Sequence, residues 1–265
     1  MKKILTLLIP LFFSFLLFAH EFWLQPDKFI YKWNDPVSVR FFVGENFTGE
    51  IWKGNASRIN SLDLYFSGVK DDISYLLSEE EGDSLELKIL DEGTTMITFN
   101  SNNSYIELES SKFNSYLLED GLTEPFEYRV NNRESDIPGR EYYQRSVKTI
   151  FQVGNKYNNT FKMGTSLPVD IIPQQNPYLL KSNDSIAVKI LFRNEPVSNQ
   201  LVKIWHKNNG RVKKHELLTD DSGLIKFSIE TKGTWMISTV KMERLENNEN
   251  ADWQSYWGSC TWGYE

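Results

Sequence analysis

The chain reads as an all-β protein of two β-sandwich domains with one short helix, behind an export signal. Three observations predict this. Apolar and polar residues alternate in run after run, as in Val37-Ser38-Val39-Arg40-Phe41, Leu85-Glu86-Leu87-Lys88-Ile89, Ile186-Ala187-Val188-Lys189-Ile190 and Leu224 to Ile229; alternation puts one row of side chains on a core and the other in water. Between the runs lie Asn208-Asn209-Gly210, Asp220-Asp221-Ser222-Gly223 and Lys232-Gly233, turn clusters whose Asn and Gly take positive φ at little cost. Finally, 265 residues with 40% hydrophobic and 14% aromatic content are enough for two cores of ordinary size.

Taken in order, residues 1–19 carry the three parts of a cleavable signal: Lys2 and Lys3, an apolar run from Ile4 to Phe18, and Ala19 as a small exit residue. That run is short for a bilayer span, which takes roughly 20 apolar residues. A soluble periplasmic or secreted protein is therefore expected, with no membrane insertion after cleavage. Residues 20–170 and 171–265 are the expected domains. Their likeness to each other shows in "KWNDPVSVRFFV" (Lys32 to Val43) and "KSNDSIAVKILF" (Lys181 to Phe192), each an Asn-Asp turn feeding a half-buried strand. Pro168, Pro173 and Pro177 interrupt the strand pattern and read as a linker. Phe113, Tyr116 and Leu117 recur at helical spacing, and Gly121 supplies a stop, so Ser111 to Leu122 is the expected helix.

The formal charge is -7, and loss of Lys2 and Lys3 with the signal takes it to -9. Such acidity argues against nucleic acid and anionic membrane surfaces as partners. It suits cations, and it suits plain solubility equally well. Cys260 is the only cysteine, so packing rather than an internal disulfide holds the fold. No HExxH helix, GxSxG elbow or Gly-rich phosphate loop is present, and the expectation is a non-catalytic protein. The acidic run Glu79 to Glu81 with Asp83 reads as a solvated hairpin tip, and Asp220 and Asp221 as turn residues.

Taken together, "AHEFWLQP" (Ala19 to Pro26), "FNSYLLEDGL" (Phe113 to Leu122), "GREYYQRSVKTIFQVG" (Gly139 to Gly154), "NPYLL" (Asn176 to Leu180), "TDDSGLIKF" (Thr219 to Phe227), "GTWMISTVKM" (Gly233 to Met242) and "DWQSYWGSCTWGY" (Asp252 to Tyr264) resemble, in that order, a bacterial periplasmic family of unknown function. That family was formerly labelled a NikM-like nickel or cobalt uptake component. The resemblance implies immunoglobulin- or transthyretin-like sandwiches, the C-terminal one of the Cna-B type. It also implies a place beside a membrane metal-uptake system.

His20 gives that implication a chemical form. Cleavage after Ala19 makes it the first residue, and its α-amine and ring Nδ1 then close a six-membered chelate. An amine near pH 7.7 to 8.0 and an imidazole near 6.5 can both give up a proton to a metal, and imidazole suits nickel, cobalt or copper. His206 is the candidate second ligand, with Glu21 or Asp252 as oxygen donors; His215 follows two lysines, which discourage a cation. The resemblance also sets a histidine where this chain has Lys241. From a different class, Trp253, Tyr256, Trp257, Trp262 and Tyr264 either close a sheet or stack on an envelope glycan. Arg140, Tyr142, Tyr143, Arg145 and Lys148 read as an inter-domain contact.

Overall fold

The computed structural model describes residues 21–77, 79–80 and 84–264. Its strands, in chain order, are β1 (Glu21–Pro26), β2 (Ile30–Tyr31), β3 (Pro36–Glu45), β4 (Thr48–Ile51), β5 (Ile59–Phe66), β6 (Val69–Asp72), β7 (Leu85–Lys88), β8 (Gly93–Ser101) and β9 (Ser104–Leu108). Two helices follow, α1 (Ser110–Glu119) and α2 (Thr123–Asn131). The chain then continues through β10 (Gly139–Val153), β11 (Val169–Pro173), β12 (Ser185–Phe192), β13 (Glu195–Pro196), β14 (Leu201–Asn208), β15 (Arg211–Leu218), β16 (Leu224–Ser228), β17 (Thr234–Arg244) and β18 (Trp253–Gly263).

One long sheet organises them, in the order β15-β14-β17-β18-β10-β8-β5-β6, with β2 and β9 also on β10. It draws strands from both sides of residue 170. A small sheet of β1, β3, β4 and β7 packs on one face, and a second of β11, β12, β13 and β16 on the other. Period-two alternation along the central strands makes this possible. On β10, Val147, Phe151 and Val153 enter the first core while Ile150 enters the second. On β18, Cys260 and Trp262 enter the second core, whereas the Ser259 and Thr261 hydroxyls donate to the Phe22 and Leu24 carbonyls of β1 at 2.6 and 2.7 Å. The two sandwiches are thus back to back on a shared sheet.

The paired motifs found in the sequence are the same device used twice. Asn34 and Asn183 take φ of 72° and 74°, and Asp35 and Asp184 accept from the backbone N–H of Lys32 and Lys181 at 3.2 and 2.8 Å. Each turn launches the middle strand of a small sheet, β3 in one and β12 in the other.

Three expectations change. The proline-flanked stretch read as a linker contains β11, buried along its whole length. It pairs with β12 alone, and an edge strand tolerates the missing N–H of its terminal Pro173. The aromatic C-terminal strand does not close the sheet but lies inside it, antiparallel to β17 and parallel to β10 from Glu141↔Trp253 to Thr149↔Thr261. Alternation within one strand carries no sign of a partner's direction. The single helix is α1, and α2 was not anticipated, because its apolar residues are few and its buried residues are Pro125 and the cationic Arg129, the latter 2% exposed. Arg129 donates to Asn114 Oδ1 at 2.9 Å and to the Ile137 carbonyl at 2.6 Å.

The layers are fastened at one buried ion pair, Lys148 of β10 with Asp170 of β11, side chains 0% and 2% exposed. Asp170 Oδ2 also accepts from the Thr165 N–H at 2.8 Å. The strands approach so closely beside it that a Cβ on Gly258 would meet Val169 Cγ1 at 2.4 Å. Removing one partner of a buried pair leaves an uncompensated charge, so Lys148→Met is expected to cost about 3–5 kcal/mol in urea unfolding. Lys148→Met with Asp170→Leu should recover much of that loss, short of the Thr165 N–H left unpaired.

Candidate functional site

The candidate site begins at Glu21, the first described residue. Phe22, Trp23 and Leu24 behind it are buried, Trp23 stacking on Phe42 at 5.5 Å and meeting Phe47 edge-on. The carbonyl edge of β1 is held by the two hydroxyls of β18, so the position of Glu21 is set by packing on both sides. Its carboxyl, 6% exposed, opens on a cavity of about 10 Å³ that is also lined by Asp120, Lys203, Ser238, Thr239 and Trp257. That is room for one water or one small ion.

Asp120 reaches the cavity because of how α1 ends. Gly121 takes φ +66°, and the N–H groups of Gly121 and Leu122 return to the carbonyls of Leu118 and Leu117 at 3.2 and 2.8 Å. This is a Schellman stop, with the buried Leu117 and Leu122 in its hydrophobic positions. A Cβ on Gly121 would lie 2.5 Å from Leu201 Cβ, so glycine lets the helix end sit against β14. Asp120 Oδ1 then pairs with Lys203 Nζ at 2.6 Å.

The charges are incompletely matched. Glu21 Oε2 and Asp120 Oδ2 are buried and have no hydrogen-bond partner among the described residues. Burial pushes the Glu21 carboxyl up to about 7, with the Lys203 ammonium pulling it back and Asp120 and Glu45 adding to the rise. Two buried acids thus share one ammonium, an arrangement with spare affinity for a cation or a proton. Among the described residues no group of three or more His, Cys, Asp or Glu side chains is placed to hold a metal.

His20 lies outside the described residues. His206 is 4% exposed, its ring stacked on Trp235 at 4.1 Å and 11° and its Nε2 2.9 Å from the Lys232 carbonyl. Residues alternate along β14, so Ile204 and His206 face the second core while Lys203 and Trp205 face β1. The structure therefore does not bring His206 to the head of β1. His215 is exposed on β15. Asp252 is engaged by Arg140 in two 2.9 Å hydrogen bonds. Lys241 lies 3.7 Å from Glu124. Sequence reading missed Asp120 and Lys203, which stand 83 positions apart; the glycine stop of α1 was the one visible signal.

Of the C-terminal aromatic cluster, Trp253 and Trp262 are core members, whereas Tyr256, Trp257 and Tyr264 are half-buried. Trp253 and Trp262 are 2% and 0% exposed. Of the cluster read as an inter-domain contact, Arg140 reaches across residue 170 to Asp252, whereas Arg145 lies over Phe22 at 4.7 Å and Lys148 pairs with Asp170, both on the N-terminal side. Of the acidic run, Glu79 and Glu80 are exposed, and Glu81 and Asp83 lie outside the described residues.

A further buried acid, Glu141, is linked through Ser255 to Trp257, which lines the cavity. Glu141 Oε1 accepts from the Ser255 hydroxyl and from Tyr116 OH at 3.2 Å, and Trp257 Nε1 donates to Ser255 Oγ at 3.0 Å. Burial pushes Glu141 from the ordinary 4.5 up to about 7, against those hydrogen bonds. Because the folded state holds its proton more tightly, its contribution is complete below about pH 4.5 and is lost as pH rises through about 7. The expected loss is about 3 kcal/mol. Urea unfolding from pH 5 to 8 should show stability falling, and Glu141→Gln should flatten that slope, leaving only the share that Glu21 adds in the same direction.

Comparison with known proteins bears on the family alone. No curated protein matches the chain. Among solved structures it is similar to a DUF4785 family protein from Legionella pneumophila, at 9% identity and TM-score 0.23, covering 81% of this chain and 51% of that one. It is also similar to Salmonella alpha-2-macroglobulin (10%, TM-score 0.21, 92% of this chain and 15% of that one) and to chicken CNTN1 FN1-FN3 domains (11%, TM-score 0.19, 80% and 57%). The chain spans about half of the Legionella chain. Residues 17–243 match the model of the family described as a domain of unknown function, DUF4198, and the chain belongs to that family.

Proposed function

We propose that this protein is an exported, non-catalytic metal-binding accessory whose mature N-terminus, His20, takes nickel, cobalt or copper for a membrane uptake system. The observation that carries this reading is the unpartnered, buried Glu21 Oε2 at the head of a strand locked on both sides. His20 directly precedes Glu21, and consecutive Cα atoms are about 3.8 Å apart, so in the mature form the new α-amine is one residue from that carboxyl along the chain. Two nitrogens and a carboxylate oxygen make a borderline donor set suited to late first-row divalent ions. The cavity has room for one such ion. His206 is left out of the ligand set because its ring is committed to Trp235 and Lys232.

The glycan-binding alternative keeps only the half-buried Tyr256, Trp257 and Tyr264 of its aromatic cluster, since Trp253 and Trp262 are enclosed. Calorimetric titration of the mature form with Ni²⁺, Co²⁺ and Cu²⁺, beside a form carrying one extra residue before His20, tests the proposal. Tight one-to-one binding by the first, weakened at least tenfold in the second, is expected. Equal, weak binding by both removes the N-terminal chelate.

A further inference from the structure

Lys148 of β10 and Asp170 of β11 are joined to each other inside the protein and held by little else. Alternation puts Lys148 on the face of β10 that carries Ile150 into the second core, and its register partner on β18 is the buried Cys260. An ammonium has three N–H donors, and among the described residues Lys148 Nζ has one acceptor, Asp170 Oδ1. Both side chains are shut away from water, so the other two N–H groups lie in a dry site, where unmet donors and charges are costly. The carboxylate is uneven as well. Its Oδ2 accepts from the Thr165 N–H at 2.8 Å, whereas among the described residues Oδ1 has the Lys148 nitrogen alone. We propose that this pair condenses to an amide, an isopeptide cross-link from Lys148 Nζ to Asp170 Cγ that joins β10 to β11 covalently.

The step balances within the pair. One proton crosses the existing hydrogen bond from the ammonium to Oδ1, leaving a neutral amine against a neutral acid. The Nζ lone pair adds to Cγ and forms the C–N bond, and the intermediate passes a second proton from nitrogen to Oδ1. The Cγ–Oδ1 bond then breaks with its electron pair, one water leaves, and Oδ2 stays as the amide oxygen. No oxidant, reductant or co-reactant is consumed. The contacts already in place suit this outcome. The oxygen that stays is the one with an outside donor, and the Thr165 N–H stabilises the charge that builds on it in the tetrahedral intermediate. The oxygen that leaves has only the attacking nitrogen as its partner. Condensation removes both buried charges and two of the three N–H donors. Both backbones are held in strands, β10 by β18 and β11 by β12, so the reacting groups meet at high effective concentration. The Cys260 thiol is pushed up to about 12 by burial, so it stays protonated and does not compete for Cγ. Among the described residues no third acid is bonded to the pair; the step is therefore slow compared with folding, and the ion pair is its reactant. The unfolding differences expected for Lys148→Met and its double variant are those of freshly folded protein.

The test is the intact mass of the purified mature chain, its N-terminus determined, followed from fresh preparation through prolonged incubation at neutral pH and joined to peptide mapping. The expected result is a mass lower by one water, with a branched peptide that links the segments around Lys148 and Asp170 and is uncut by trypsin at Lys148. Lys148→Arg keeps the positive charge without the primary amine and should retain its water. A mass that stays at the value of the sequence throughout overturns the proposal. So does loss of one water without the branched peptide, as a succinimide at an Asp turn would give, and so does equal loss in Lys148→Arg. If Lys148→Arg fails to fold, the branched peptide in the wild-type chain decides alone. None of these outcomes bears on the N-terminal chelate.

Discussion

Two side-chain hydroxyls in the last strand hold the first strand in place. Ser259 and Thr261 donate to the carbonyls of Phe22 and Leu24, 237 positions away in sequence. β1 pairs with β3 along one edge, and its other edge would leave backbone acceptors buried without partners. Such groups must be satisfied for a strand to be enclosed. The hydroxyls do this from the face of the long sheet rather than by adding a strand, so β1 stands on β18 instead of extending it. The first and last described strands thus meet in the middle of the molecule, and Glu21 shares a cavity with Asp120 at the end of α1 and Lys203 of β14.

The same central strands serve both layers. β10 and β18 run parallel over nine register pairs, and each sends alternate side chains to opposite cores. A strand buried on both faces needs few polar positions, and those it has must be answered. Lys148 is answered by Asp170 and Thr149 by Thr261 at 2.9 Å. Glu141 is answered by hydroxyl donors while burial favours its protonated form. Two acids left partly unanswered, Glu21 and Asp120, line the cavity at the head of β1.

Much of the architecture was legible in the sequence. Alternating runs located β3, β7, β12 and β16, and the two Lys-x-Asn-Asp turns marked the middle strands of both small sheets, because their Asn in the left-handed region and Asp bonded back to Lys are local chemistry. Phe113, Tyr116, Leu117 and Gly121 located α1 for the same reason. What was not legible depended on partners. A proline-flanked strand looks like a linker until its edge position is known, and β18 looks terminal until β10 is found alongside it. His206 looks available until Trp235 is found stacked on its ring. The candidate site divides in the same way: His20 and Glu21 are adjacent in sequence and were visible, whereas Asp120 and Lys203 meet only because Gly121 lets a helix end rest on β14.

Packing of β1 on β3 and β18 fixes the head of β1 and so holds Glu21 at the cavity that Asp120 also lines. Hydrogen exchange of the mature protein, read on the peptide covering Glu21–Pro26, tests this most directly. The account predicts protection of that peptide comparable to that of β17 and β18, falling when Ser259 and Thr261 are both replaced by alanine. Exchange at the rate of an exposed loop, with the rest of the long sheet protected, would contradict it.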